Sequence, residues 1–333
     1  MPIISAKEKT NEAVQNISRF QSGEIKPVST GNPWIDEVML GGLLPSTILT
    51  IGGMSNHGKT HLLQSIENSI LDTYDDIVML RCNWESPVYK LLLRKMKEKT
   101  GAKLTELLYE RPIGERLTTI KEICDQERRD GLYYMEEPSS PDGFFNEVSA
   151  FLEAHTNKKV LISIDHVGLV KGREKTSIDG LFEMMNLLKK MHPFVMFLPL
   201  IQMHRERILS RADDLLRHHP QQADFYGSDQ LFQVSDGVIA IYNAYKVGIQ
   251  EKYMKFTKNK FTYIDESFII DGGEKWNHFD PAGNLFLHAT KVRDMDDMEG
   301  FKEVWVENLF DVEKAPIVKR DTKKVDDLLD ERM

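Results

Sequence analysis

The chain of 333 residues has two cysteines, Cys82 and Cys124. That is too few for a disulfide framework or a four-thiolate zinc site, and it fits a reducing compartment. Long apolar runs are missing as well. The longest, at 194–201, falls far short of the ~18 residues that span a bilayer, and the N-terminal stretch lacks the apolar core of a signal peptide. These absences point to a cytoplasmic protein with no membrane partner. Positive charge is not in excess either: 43 Lys and Arg stand against 52 Asp and Glu, a net charge of -9. The surface as a whole is therefore no magnet for nucleic acid, and any such site must be local. His166, His204, His218 and His219 show no paired metal-ligand spacing with one another or with the cysteines, so they read as loop residues. There is no G-x-S-x-G nucleophile motif, no internal repeat and no low-complexity tract. What remains, 41% hydrophobic and 29% charged residues, is the balance of a globular protein that can bury a sizeable core.

Along the chain, Ala13, Val14, Ile17 and Phe20 recur at helical spacing and predict one amphipathic helix, closed by Ser22-Gly23 and followed by a turn-rich connector. From residue 29 onward, short apolar runs predict strands at 48–52, 77–81, 132–135, 160–165, 194–201 and 237–242. Helical patterns lie between several of them, most clearly Ile178, Leu181, Phe182, Met185 and Leu188. Nearly continuous apolar strands alternating with helices predict an α/β fold, a mostly parallel sheet with helices on both faces. Shorter strands at 262–270, 285–290 and 303–307 predict an antiparallel C-terminal extension of that sheet. Residues 311–333 mix acidic and basic residues with few large apolar ones and read as a flexible charged tail. The expected organisation is an N-terminal helix and connector over 1–28, one α/β domain over 29–310, and the tail over 311–333. Trp34, Trp84, Trp276 and Trp305 read as core or interface anchors.

The sharpest motif is Gly53-Met54-Ser55-Asn56-His57-Gly58-Lys59-Thr60, a full G-x-x-x-x-G-K-[ST] between a strand and a helical run that opens with His61. In such a loop backbone N–H groups wrap a triphosphate at a helix N-terminus, the lysine reaches the β and γ phosphates and the threonine hydroxyl holds Mg²⁺. ATP and Mg²⁺ are the expected cofactors, and residues 53 and 55–61 the expected nucleotide contacts. The run 160–165 ends in Asp165, which is either the second Mg²⁺ holder, opposite Thr60, or a turn-starting carboxylate. Glu85 follows the strand at 77–81 and is either the base for the attacking water or an acid capping the next helix. Gln202, after the strand at 194–201, is either a sensor of the γ-phosphate or a solvated loop residue. Lys291 and Arg293 are either a solvated pair or a two-cation finger that reaches the γ-phosphate of a neighbouring subunit.

In this order the motifs resemble the C-terminal RecA-like motor domain of DnaB-type replicative helicases, over roughly residues 8–308. The resemblance rests on Ser29-Thr30-Gly31-Asn32-Pro33-Trp34 and Gly41-Gly42-Leu43-Leu44-Pro45 before the P-loop, and on Asn83-Trp84-Glu85-Ser86-Pro87. It continues through Ile164-Asp165-His166-Val167-Gly168, Ile201-Gln202-Met203-His204-Arg205, Gly227-Ser228-Asp229 and Lys291-Val292-Arg293. It implies an ATP-hydrolysing DNA helicase that translocates on single-stranded DNA as a hexameric ring, with a primase or helicase loader as further partners. Glu85 then becomes the catalytic base, Gln202 the sensor, and Lys291 with Arg293 the finger acting across subunits. DNA would be held through Lys171, Arg173 and Lys175 in one loop and Arg205, Arg207 and Arg211 in the next, by sequence-blind phosphate contacts. Six copies would concentrate those cations in one pore of an otherwise acidic assembly. The resemblance starts at that family's linker helix, so the expected protein is a phage- or plasmid-type bacterial helicase without the N-terminal collar. Asn56-His57 in the P-loop and Tyr226, where an arginine is usual, depart from the family pattern. A RecA-type recombinase or mediator would share the P-loop but form a filament. A non-unwinding ATP-gated DNA-binding or loader module would lack strand displacement.

Overall fold

In the computed structural model of the chain the described residues are 4–172, 175–210, 220–226, 229–243, 246, 252–255, 267–270, 274–279, 285–293 and 303–306. Six parallel strands form the body of one eight-stranded sheet: β1 (Leu49–Gly53), β2 (Ile77–Asn83), β3 (Leu132–Met135), β4 (Lys159–Asp165), β5 (Val195–Gln202) and β6 (Gly237–Tyr242). Their spatial order is β6-β1-β5-β4-β2-β3. Two antiparallel strands, β10 (Leu285–Val292) and β11 (Glu303–Val306), continue the sheet beyond β6.

The predicted antiparallel extension is thus present but only in part. β7 (Lys252–Lys255), β8 (Ser267–Ile270) and β9 (Glu274–Phe279) pair among themselves in a separate three-stranded sheet. The expectation that the stretch around 262–270 would add to the main sheet is corrected here. Short strands with turn signals look alike whichever edge they join, and the pairing partner is a tertiary choice. The tail at 311–333 lies outside the described residues.

Because side chains alternate along a strand, each central strand feeds two cores. Val78, Leu80 and Cys82 of β2 and Val160, Ile162 and Ile164 of β4 face one layer. It is completed by α7 (Pro141–Ala154) and α8 (Lys175–Met191), through Phe144, Val148, Ile178, Leu181 and Phe182. Ile77 and Met79, Leu161, and Leu49 and Ile51 face the other layer, which holds α2 (Pro33–Val38) and α3 (Lys59–Thr73). At about 2 kcal/mol per fully buried aliphatic side chain, this two-faced burial explains why the strands are apolar throughout. Trp34 and Trp84 are buried, as read from the sequence.

Three helices, α4 (Val88–Thr100), α5 (Leu104–Tyr109) and α6 (Gly114–Glu127), lie between β2 and β3, where the sequence showed one helical run. Leu104, Leu108, Tyr109 and Ile113 of this insert are exposed. At the other extreme of the chain, α1 (Ala6–Gln21) starts at a capping box in which Ser5 and Glu8 satisfy each other's backbone N–H groups. None of its residues is buried, and Val14, Ile17 and Phe20 of the predicted stripe are exposed. The remaining short helices are α9 (Arg205–Leu209), which follows β5, and α10 (Asp229–Val234), which precedes β6. No helix among the described residues is long and apolar enough to cross a membrane.

Candidate nucleotide site

Gly53, Asn83, Asp165 and Gln202 are the last residues of β1, β2, β4 and β5. Register places Gly53 beside Gln202 and Asn83 beside Asp165, so four separate motifs meet at the carboxyl edge of the sheet. That edge is where open α/β sheets bind ligands.

The P-loop turns tightly from β1 into α3. Gly58, the N-cap of α3, has φ +93°, a conformation glycine adopts without steric cost. At Gly53 a Cβ would lie 2.6 Å from the Ile241 carbonyl oxygen, so only hydrogen fits against β6. Asn56 also has positive φ, which a short polar side chain tolerates. Ser55 and Asn56 are exposed at the loop apex, while His57 is buried. His57 Nδ1 accepts the Asn243 N–H at 2.9 Å, and Lys246 Nζ donates to the Asn56 carbonyl at 2.9 Å. Burial, then the charges of Lys246, Lys59 and Arg205, push the His57 pKa down to about 4, which keeps the ring neutral. The departure of Asn56-His57 from the usual loop thus has a partner, the segment after β6.

Lys59 is buried and donates to the Met54 carbonyl at 2.9 Å. Burial lowers its pKa, opposed by the carboxylates of Asp165 and Glu85. Thr60 Oγ1 donates to Asp165 Oδ2 at 2.9 Å across 105 positions of sequence. Burial pushes the Asp165 pKa up to about 6; the Thr60 hydroxyl and Lys59 pull against that, and Glu85 and Glu67 add to it. Two hard oxygen donors at one phosphate loop suit Mg²⁺, which takes one or two protein ligands and completes its shell with phosphate and water. Among the described residues no group of three or more His, Cys, Asp or Glu could hold a metal ion by itself.

The residues after β2 wrap the end of β4: the N–H groups of Trp84 and Glu85 both donate to the Asp165 carbonyl, at 3.0 and 3.1 Å. Glu85 is exposed beside this turn. It does not cap α4. That helix starts after Pro87, and the Val88 N–H donates instead to Glu136 Oε1 at 2.6 Å, a carboxylate from the end of β3. Gln202 is half-buried rather than solvated, with Nε2 3.3 Å from His166 Nε2. Burial holds His166 below the usual imidazole range. His166 is a turn residue after β4, as read from the sequence, and its ring reaches Gln202 at the end of β5. His61, expected at the nucleotide, points to α4, with Nε2 3.1 Å from Glu98 Oε1.

Lys291 and Arg293, expected to form a finger, sit elsewhere. Lys291 pairs with Val238 and Val292 with Gly237, while Gly237 pairs with Leu49 at the start of β1. They lie at the end of the sheet opposite their own P-loop, roughly 13 Å away along β1 at the usual rise per residue. Both are anchored on the C-terminal turn of α10: Lys291 Nζ donates to the carbonyls of Phe232 and Ser235, and Arg293 to Gln233 and to Asp236 Oδ1. Of the cations expected on DNA, Lys175 opens α8, and it lines one cleft with Arg207 of α9, Gln222 and Phe225. Lys171 is exposed, Arg205 starts α9, and Arg173 and Arg211 lie outside the described residues.

Sequence reasoning missed a buried ion cluster directly behind the Thr60–Asp165 pair. Arg81 of β2 meets Glu67 of α3 at 2.8 Å and Glu127 of α6 at 2.8 Å. Glu127 also binds Lys95 of α4 and Tyr134 of β3, and Ser163 donates to Glu67. Although burial acts against its charge, the two carboxylates raise the Arg81 pKa; Arg81 and Lys95 in turn hold Glu127 below the carboxylate range. The one available signal was an arginine inside the apolar run 77–82.

Comparison with known proteins agrees with this geometry. The family described as the DnaB-like helicase C-terminal domain matches residues 27–270. No curated protein matches the chain. One solved ATPase domain superposes with a TM-score of 0.64 at 15% identity, covering 92% of this chain and 96% of its own. A DnaB-like replicative helicase, solved in a study of its interactions with primase, superposes with a TM-score of 0.62 at 15% identity, covering 92% of this chain and 65% of its own. At such identity these likenesses establish the fold, while the family match spans most of the sequence. The chain belongs to the family of the DnaB-like helicase C-terminal domain, and its fold is that of a DnaB-type RecA-like motor.

Proposed function

We propose that the chain is the motor of an ATP-driven replicative DNA helicase that works as a hexameric ring on single-stranded DNA and hydrolyses ATP between subunits. The observation that supports this reading is the separation, within one chain, of two groups of polar and charged side chains. Lys59, Thr60, Asp165 and Glu85 gather at one end of the sheet, and Lys291 and Arg293 are fixed at the other. Cations held there serve a neighbour's phosphates, not their own. In this reading Thr60 and Asp165 hold Mg²⁺, which screens the phosphate charge. Lys59 neutralises the β and γ oxygens. Glu85 takes a proton from water as the water oxygen bonds to the γ-phosphorus and the bond to the β–γ bridging oxygen breaks. Gln202 and His166 report the γ-phosphate to α9, whose arginines face DNA together with Lys175.

Assembly has its own support in unpartnered apolar surface. The α1 stripe and the Leu104, Leu108, Tyr109 and Ile113 patch are both exposed in the single chain, and the α1 helix of one copy fits the role of covering that patch on the next. The organisation we propose is a linker helix and connector over 1–28 ahead of a motor over 29–310, with a primase or loader as the class of accessory partner. The test pairs electron microscopy with ATP and single-stranded DNA with a strand-displacement assay on a forked duplex. Rings that unwind the fork in an ATP-dependent manner support the reading; filaments, or ATP hydrolysis without displacement, overturn it.

A further inference from the structure

Asn83 is the last residue of β2 and lies in register with Asp165. The next two backbone N–H groups are both spent on the Asp165 carbonyl, which pins residue 83 at the edge of the site. Its side chain is nine-tenths buried, and its amide nitrogen has no hydrogen-bond partner. Asn83 is one of the residues that line a narrow cleft together with Thr60, Glu67, Arg81 and Asp165, and the cleft has room for about one water molecule.

A buried N–H without a partner is costly, and native folds retain one chiefly where function uses it. No acceptor among the described residues lies within hydrogen-bond reach of this nitrogen. Arg81 is ion-paired with Glu67 and donates to Glu127 and Tyr134, Thr60 donates to Asp165, and Gln202 is engaged with His166. The acceptor that the Asn83 nitrogen lacks is therefore one that arrives with the substrate. We propose that Asn83 positions the attacking water, its amide nitrogen donating to the water oxygen and its amide oxygen accepting one O–H while Glu85, two residues on, receives the other proton. A planar amide carries donor and acceptor in fixed geometry, which is why an amide orients the nucleophilic water in other P-loop NTPases. This rests on the nucleotide-site reading above and adds a residue to it.

The test is Asn83→Leu, which keeps the volume and removes both polar atoms, with Asn83→Ser as the variant that restores a donor and an acceptor on a shorter arm. For Asn83→Leu, melting of the nucleotide-free protein should occur at the wild-type temperature or above it, because the orphan amide is gone. Affinity for a fluorescent ATP analogue with Mg²⁺ should change by less than about threefold, and KM should hold. By contrast kcat should fall about 10²-fold, and affinity for Mg²⁺, ADP and aluminium fluoride, which mimic the transferring phosphoryl group, should fall with it. Asn83→Ser should recover part of kcat. If Asn83→Leu melts well below wild type and loses activity in proportion, the residue is only structural and the proposal fails. Unchanged kcat, or loss of nucleotide binding itself, overturns it equally. A wild-type protein that neither binds nor hydrolyses Mg²⁺-ATP removes the nucleotide-site reading and this proposal together, whereas wild-type hydrolysis matched by Asn83→Leu removes the proposal alone.

Discussion

Replacing Arg81 by Met removes the centre of the buried ion cluster while nearly keeping its volume. Arg81 and Glu67 have 5% and 3% of their side-chain surface exposed, and Glu127 has 11%. Glu127 would keep Lys95 and Tyr134. Glu67 would keep only the Ser163 hydroxyl, so the cost concentrates on one stranded carboxylate. It escapes by binding a proton. Holding a carboxyl of ordinary pKa protonated costs about 4 kcal/mol at pH 7 and about 1 kcal/mol at pH 5, which caps the penalty at each pH. The cap agrees with the ~3 to 5 kcal/mol typical of breaking a buried pair. The sign follows from linkage. In the variant a buried carboxylate without its cation costs most where it is charged, so stability is lost as pH rises. In the wild type the Glu127 pKa is held down by Arg81 and Lys95, so that stabilisation is present at neutral pH and is lost in acid. Both effects narrow the gap between the two proteins on acidification. Urea denaturation at pH 7 and pH 5 reads it directly, and adding Glu67→Gln to Arg81→Met should recover most of the loss at pH 7. A loss below about 1 kcal/mol at pH 7, a gap that fails to shrink at pH 5, or no recovery in the double variant would refute the reasoning.

Glu85→Gln should keep Mg²⁺-ATP bound and stop its turnover, seen as retained nucleotide affinity with no phosphate release; near-normal turnover would remove Glu85 as the base. Arg293→Ala should bind ATP but lose most hydrolysis, with fingers of this kind worth ~10³ to 10⁵ in turnover. Mixing it with Lys59→Ala should restore activity at interfaces that pair an intact P-loop with an intact finger, and mixed oligomers that stay inactive while Arg293→Ala alone hydrolyses normally would defeat the trans assignment. Deleting residues 1–21 should lower the assembly mass in light scattering and leave ATP binding in place, because α1 buries nothing in its own chain. Neutralising Arg205 and Arg207 together should weaken single-stranded DNA binding and flatten its salt dependence in fluorescence anisotropy; an unchanged slope would move the DNA path elsewhere.

Much of the motor was legible before any coordinates, because local signals carry it. The P-loop from Gly53 to Thr60 is contiguous, its turn chemistry is written in glycines, and β1, β4 and β6 are apolar runs whose bounds shifted by a residue at most. Strands buried on both faces must look that way whatever lies beside them. The sequence alone also placed Asp165 and Gln202 at strand ends, though not what they touch. Contacts between distant segments decided the rest. That Thr60 meets Asp165 depends on β4 lying two strands away from β1 in the sheet. Among the contacts, it is Glu136, from the end of another strand, that takes the helix-capping place which Glu85 could have filled. The insert helix α5 was missed because its apolar residues stay largely on the surface, whereas α6 does carry a partly buried stripe, Leu117, Ile120 and Ile123, that was left unread. The Asn83 amide and the Arg81 cluster carry no local pattern at all. A lone polar residue closing an apolar strand is ambiguous until the neighbouring elements either supply its partner, as Glu67 and Glu127 do for Arg81, or leave it without one, as they do for Asn83.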